Sequence, residues 1–145
     1  MKKLLLILLF PIMCAAQEVY HIKFADQESI YSVAVLAWED NTAMVRVRYI
    51  DRDCSGELIE MKATIADTTT GFTISCSDPM YAGTTKKAKN YNPDNFILTF
   101  KDEDGWICVN RDSANTLTPC SFMEVTGLSN QDLFLQEFDW MFEKK

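Results

Sequence analysis

Between Ser29 and Asp51 apolar and polar residues alternate more regularly than anywhere else in the chain. Ala43, Val45, Val47 and Tyr49 fall on one side of an extended backbone and Met44, Arg46 and Arg48 on the other, the two-residue period of a half-buried strand. The arginines are expected to meet water or a charge partner. Just before, Tyr31, Val33, Val35 and Ala37 line one face and Ile30, Ala34, Leu36 and Trp38 the other, so this strand is expected to be covered on both sides. A short helix from Asp26 is the competing assignment, but Val, Ile and Tyr are restricted against a helical turn and suit a pleated surface. Glu39, Asp40 and Asn41 supply the polar loop of a β-hairpin.

The same period recurs along the chain. Tyr20, Ile22 and Phe24 alternate with His21 and Lys23, which makes His21 a surface strand residue. Ile59, Met61, Ala63 and Ile65 alternate with Leu58, Glu60 and Lys62. Pairing Tyr49 with Ile59 sets Arg48 opposite Glu60, a cross-strand pair worth about 0.2–1 kcal/mol. After the turn Asp67–Gly71, the strand Phe72, Ile74, Cys76 returns toward the turn holding Cys54. Phe96, Leu98 and Phe100 lead to Asp104-Gly105, a two-residue hairpin signal. That turn sets Phe100 opposite Val109, with Trp106 and Cys108 on the face away from the phenylalanines. A last strand, Thr118–Val125, folds back symmetrically about Ala114 and places Cys108 opposite Cys120.

The period then changes to that of a helix over residues 129–142. Ser129 with Asp132 resembles a capping box, and Leu128 with Leu133 has the spacing of a hydrophobic staple. Phe134, Phe138, Met141 and Phe142 form an apolar stripe, expected to pack on a sheet face such as the one bearing Trp106 and Phe122. The fold class is therefore all-β, an antiparallel meander of about eight strands closing as a small barrel or folding as a sandwich, with one C-terminal amphipathic helix.

Residues 1–16 do not fit this pattern. Lys2 and Lys3 precede an unbroken apolar run from Leu4 to Met13, then Cys14-Ala15-Ala16, the charge, core and small-residue exit of a secretory signal peptide cleaved near Ala16. An acylated Cys14 is the rival, disfavoured because Pro11-Ile12-Met13 lacks the small residue such a site wants. Residues 17–145 then form a single exported domain, periplasmic or extracellular. Removing two lysines from a chain of formal charge −7 makes it more acidic still, which argues against nucleic acid, and no further apolar run argues for membrane insertion. Of the five cysteines, Cys54, Cys76, Cys108 and Cys120 remain, an even set that reads as disulfides in an exported domain. Local geometry favours Cys54–Cys76 and Cys108–Cys120, each worth about 3 kcal/mol in the chain-entropy account.

Candidate chemistry is thin. There is no nucleophile elbow, zinc-protease helix, phosphate loop or dinucleotide fingerprint, and the only histidine lies far in sequence from every cysteine. Asp51-Arg52-Asp53 and Asp102-Glu103-Asp104 lack the spacing of a calcium loop. No catalytic residue, metal or cofactor is expected. The stretch Asp78–Pro93 is long and aperiodic, the kind of loop that tends to be functional or disordered. It gathers Lys86, Lys87 and Lys89, with Tyr81, Thr84 and Tyr91, in an otherwise acidic protein, and is the candidate contact for a protein or anionic partner in the cell envelope. The bland reading is a solvated loop whose tyrosines pin its ends. The leading expectation is a non-enzymatic exported binding domain. The alternatives are a barrel-type carrier of a small apolar ligand and a secreted hydrolase or hydrolase inhibitor whose carboxylates converge from distant turns.

Overall fold

A computed structural model describes residues 17–140, which form eight strands and one helix. The strands are β1 (Glu18–Ala25), β2 (Ser29–Ala37), β3 (Thr42–Asp51), β4 (Gly56–Asp67), β5 (Gly71–Tyr81), β6 (Asn95–Lys101), β7 (Gly105–Arg111) and β8 (Leu117–Glu124); the helix is α1 (Leu128–Gln136). Each strand pairs antiparallel with the next, and β1 pairs with β8, so the meander closes as a barrel rather than a sandwich. Closure gives every strand a neighbour on both sides. Inward-facing residues are those the alternation marks as apolar: Ile22, Val33, Val35, Val45, Val47, Ile59, Ile74 and Phe96 are shut off from solvent. Eight strands enclose a space that side chains of this size fill, so the middle of the barrel is a packed core.

Two registers differ from expectation. Between β3 and β4 the pairing is shifted by two residues, with Tyr49 opposite Glu57 and Ile59 opposite Val47. The faces are kept, but Glu60 meets Arg46, not Arg48. Between β6 and β7, Gly105 leaves the turn and joins the strand opposite Lys101, with φ +72°. Its lack of a Cβ permits this left-handed conformation after the turn at residues 102–104. Phe100 therefore pairs with Trp106 rather than Val109, an odd shift that exchanges the two faces of β7. Trp106, Cys108 and Asn110 go inside, while Ile107 and Val109 go outside.

The helix covers the outer wall of the barrel, not the face bearing Trp106 and Phe122, which lies inside. Leu135 and Phe138 pack with Val19, Ala34 and Leu36, flanked by Trp38, Leu58, Phe134 and Trp140. This explains why β2 is apolar on both faces. The cap also differs from the expected box. The chain enters through Gly127 at φ 86° with no side-chain cap, which puts Ser129 inside the first turn, and Leu128 and Leu133 are exposed rather than stapled. Met141 and Phe142 lie outside the described residues, as does the expected signal peptide.

Arg46 fastens this arrangement. Its buried guanidinium donates to Glu60 Oε1 (3.2 Å) and to the Phe138 carbonyl (2.8 Å), and lies 4.9 Å from the Trp140 ring centre. Arg48 donates to the Glu137 carbonyl at 2.9 Å. Both cations thus meet carbonyls just past the C-terminal end of α1, which carries the negative end of the helix dipole. His21 lies half-buried beneath the helix, its ring 4.7 Å from that of Phe134 and its Nε2 3.0 Å from Ser32 Oγ. Burial, and then Lys23, lower its affinity for a proton. No helix among the described residues is long and apolar enough to cross a membrane.

Candidate functional site

The two ends of the barrel are finished differently. At one end, β5 bends before it stops. Asp78 takes φ 53°, and the pairing slips between Glu60–Met80 and Lys62–Ser77, a bulge that accommodates Pro79 in a strand. The following segment, residues 82–94, returns over the barrel end. Ala88 is buried in the core, and its N–H donates to the Pro79 carbonyl at 2.9 Å. Tyr91 stacks on Tyr49 at 5.7 Å and turns its hydroxyl inward to donate to Asp94 Oδ2 at 2.7 Å. Asn110 donates to Asp94 Oδ1 at 2.9 Å. Phe24 stacks on Tyr31 beside them, at 4.5 Å. Burial pushes the Asp94 carboxyl from 3.8 up to about 6, against the pull of its two hydrogen bonds.

This closed end divides the candidate residues of the loop. Tyr81, Lys86, Lys87 and Lys89 come together with Asn90 around an open concavity of about 570 Å³, with Lys86 Nζ 5.4 Å from the Tyr81 ring centre. Thr84 is occupied by the turn itself: its hydroxyl donates to the Tyr81 carbonyl (2.8 Å) and accepts from the Lys86 N–H (3.1 Å). Tyr91 is on the other side of the loop, spent on the plug. Burial and the neighbouring Asp94 raise its phenol well above the ordinary tyrosine range.

At the opposite end the strands are joined by tight turns, residues 38–41, 68–70 and 102–104. None of these turns is long enough to fold inward. A recess of about 540 Å³ remains, lined by Tyr20, Phe72, Trp106, Trp38 and Ile65 and rimmed by Glu18, Glu39, Asp67 and Glu124. The aromatic floor is mutually braced, with Phe72 edge-on to Trp106 at 5.2 Å and Tyr20 at 5.2 Å from Phe122. Gly71 lets β5 approach β6 closely here, because a Cβ at that position would run into the Leu98 carbonyl. The Tyr20 hydroxyl donates to Glu18. Burial first, then Glu18 and Glu124, hold that phenol protonated far above its ordinary range. The four rim carboxylates are exposed to solvent.

None of the mouth residues was singled out as a candidate site by the sequence patterns. A signal exists: Glu18 and Tyr20, and likewise Phe122 and Glu124, are two apart on strands and so share the inward face. Each pair sets an acid at the rim directly above an aromatic ring.

The cysteines divide as well. Cys108 and Cys120 are register partners inside the barrel, their thiols near one another while the Cys120 thiol donates to the Thr118 carbonyl at 3.4 Å. The neighbouring thiol and burial hold the proton on Cys108, and the same proximity eases ionisation of the less buried Cys120. Cys54 and Cys76 are not brought together. Cys54 sits in the exposed β3–β4 turn at φ 63°, whereas Cys76 is buried opposite Ala63. Seven strand positions from Gly56 to Ala63 separate them, about 23 Å. The expected bridge carried Cys76 too near the start of β4; Cys76 is only the sixth residue of β5 and so falls opposite Ala63, well short of the Cys54 turn. Among the described residues no group of three or more His, Cys, Asp or Glu side chains converges as a metal site.

The fold and the mouth define an eight-stranded up-and-down β-barrel, crossed at one end by its own loop and, among the described residues, open at the other. No family model, curated protein or solved structure matches this chain.

Proposed function

We propose that this chain is a non-enzymatic binding domain, exported after removal of residues 1–16, whose barrel takes a small ligand with an apolar body at its open mouth. One observation carries the reading: aromatic side chains floor a recess of about 540 Å³ at one end, whereas at the other the returning loop leaves a smaller recess of about 290 Å³ lined largely by polar groups around Tyr91 and Asp94. Sites for small molecules are typically concavities of about 300–1,000 Å³ with apolar walls and a few polar groups. Titration with the apolar fluorophore N-phenyl-1-naphthylamine tests it. Saturable binding at one site, read by energy transfer from tryptophan and abolished by Phe72→Ala, is expected; a signal that Phe72→Ala leaves unchanged would remove the mouth as the site.

A second contact surface is supported by the Tyr81, Lys86, Lys87 and Lys89 concavity, which suits an anionic partner in the cell envelope. In an oxidising compartment Cys108 and Cys120 join as a cross-strand disulfide. The Cys120 thiolate attacks the disulfide of an exchange partner to form a mixed disulfide, releasing one partner thiolate. The Cys108 thiolate then attacks the Cys120 sulfur, releasing the second partner thiolate, so the two cysteines are oxidised as the partner is reduced. Exported material labelled under non-reducing, denaturing conditions should accept a thiol reagent at Cys54 and Cys76 and refuse it at Cys108 and Cys120. Labelling at all four positions would refute the bridge.

A further inference from the structure

We infer that the mouth is built for an organic cation, a primary or quaternary amine carrying an aromatic or aliphatic body. The inference rests on the mouth being the ligand site and adds what that ligand must be.

The floor comes first. Phe72 and Trp106 belong to the inner cluster, are half-buried and line the recess. Phe72 meets Trp106 at 71°, which turns the two rings in different directions and sets aromatic surface on more than one wall. An apolar body of any charge gains from covering such rings, and a cation gains further from the electron-rich ring faces. The floor thus admits neutral and cationic ligands.

The rim decides between them. Among the described residues its charged groups are Glu18, Glu39, Asp67 and Glu124, and no described lysine, arginine or histidine lines the recess. The ion pairs among the described residues, Arg46 with Glu60 and Arg48 with Asp139, lie at the helix, so they leave this rim uncompensated. A bound carboxylate would sit against unneutralised like charge above a low-dielectric floor, where repulsion is screened less than in bulk water. A bare metal ion is poorly served too. Its ligands must converge on one point, and these acids stand around an apolar centre, outside any cluster of three potential ligands. What fits both layers is a positive group at the rim attached to an apolar body on the floor.

A matched series of probes tests this: 4-phenylbutylamine, 4-phenylbutanol and 4-phenylbutyrate share one body and differ in charge. Each is titrated into the isotope-labelled protein and followed by NMR. The amine is expected to shift signals of Tyr20, Phe72 and Trp106, to bind about tenfold more tightly than the alcohol, and to lose that margin as salt is raised. The butyrate is expected to bind weakest. Asp67→Asn with Glu124→Gln, both at exposed positions, should erase the margin while the alcohol still binds.

Equal affinity for amine and alcohol would overturn the charge inference and leave the mouth as a ligand site. Shifts by the amine spread over the acidic surface and unaffected by Phe72→Ala would also overturn it. No mouth shift with any of the three probes would overturn both this inference and the site beneath it.

Discussion

The plugged and open ends of the barrel are built on the same strands and begin from the same packed middle, yet they diverge within one layer of side chains. At the plugged end, residues 82–94 bring Ala88 into the core and hold Tyr91 on Asp94, which also accepts from Asn110. At the open end the turns are three or four residues long and the rings of Phe72 and Trp106 stay half-exposed. Loop length, not strand sequence, makes one end structural and the other available. A turn of three residues can only reverse the chain, whereas thirteen can fold back and donate side chains to the interior.

This contrast predicts that equal truncations at the two ends have unequal costs. Tyr91→Ala removes a ring about as half-buried as that of Phe72 and in addition leaves Asp94 with one hydrogen-bond partner, and is expected to cost about 2–4 kcal/mol. Phe72→Ala at the mouth removes a half-exposed ring with no buried polar partner, and is expected to cost about 1–2 kcal/mol. Urea unfolding of the two variants beside the parent gives both numbers, and equal losses would break the distinction between the ends.

Acid sharpens it. Asp94 binds its proton more tightly when folded, with a carboxyl at about 6 against an ordinary 3.8. Its contribution therefore favours the fold fully below about pH 4, declines as pH rises, and is lost above about pH 6. The whole span is about 3 kcal/mol at most. Unfolding midpoints of Asp94→Asn and the parent, compared at pH 4, 5, 6 and 7, should show this component in the parent alone; parallel curves would mean that the plug is open to water.

The smallest effect is expected where the plug loop faces solvent. Reversing Lys86, Lys87 and Lys89 to glutamate should leave stability within about 0.5 kcal/mol, while abolishing any pull-down of an anionic partner that the parent shows. A large loss of stability would instead mean that these lysines help to hold the loop in place.

Much of this architecture is legible in the amino-acid order because a strand declares itself locally. Residues two apart share a face, so Ala43 to Tyr49 and Phe72 to Cys76 expose their inward sides without reference to the rest of the chain. The same locality makes Cys108 and Cys120 readable as partners across a short turn. Register is less legible, since one glycine taking φ +72° at position 105 moved Trp106 and Cys108 from the outside to the inside. The mouth is less legible again. Glu18, Asp67, Trp106 and Glu124 come from strands remote in sequence and meet only because β8 returns to β1.

The alternation of side chains by itself determined that this protein is a β meander with an apolar interior and a terminal helix, because burial of one face is a property of each strand alone. Closure into a barrel, the latching of the helix by Arg46, and the difference between a plugged and an open end were decided by the tertiary structure. These depend on accumulated twist, on turn conformation and on which distant segments come to rest on one another, and none of those is written in a single stretch of chain.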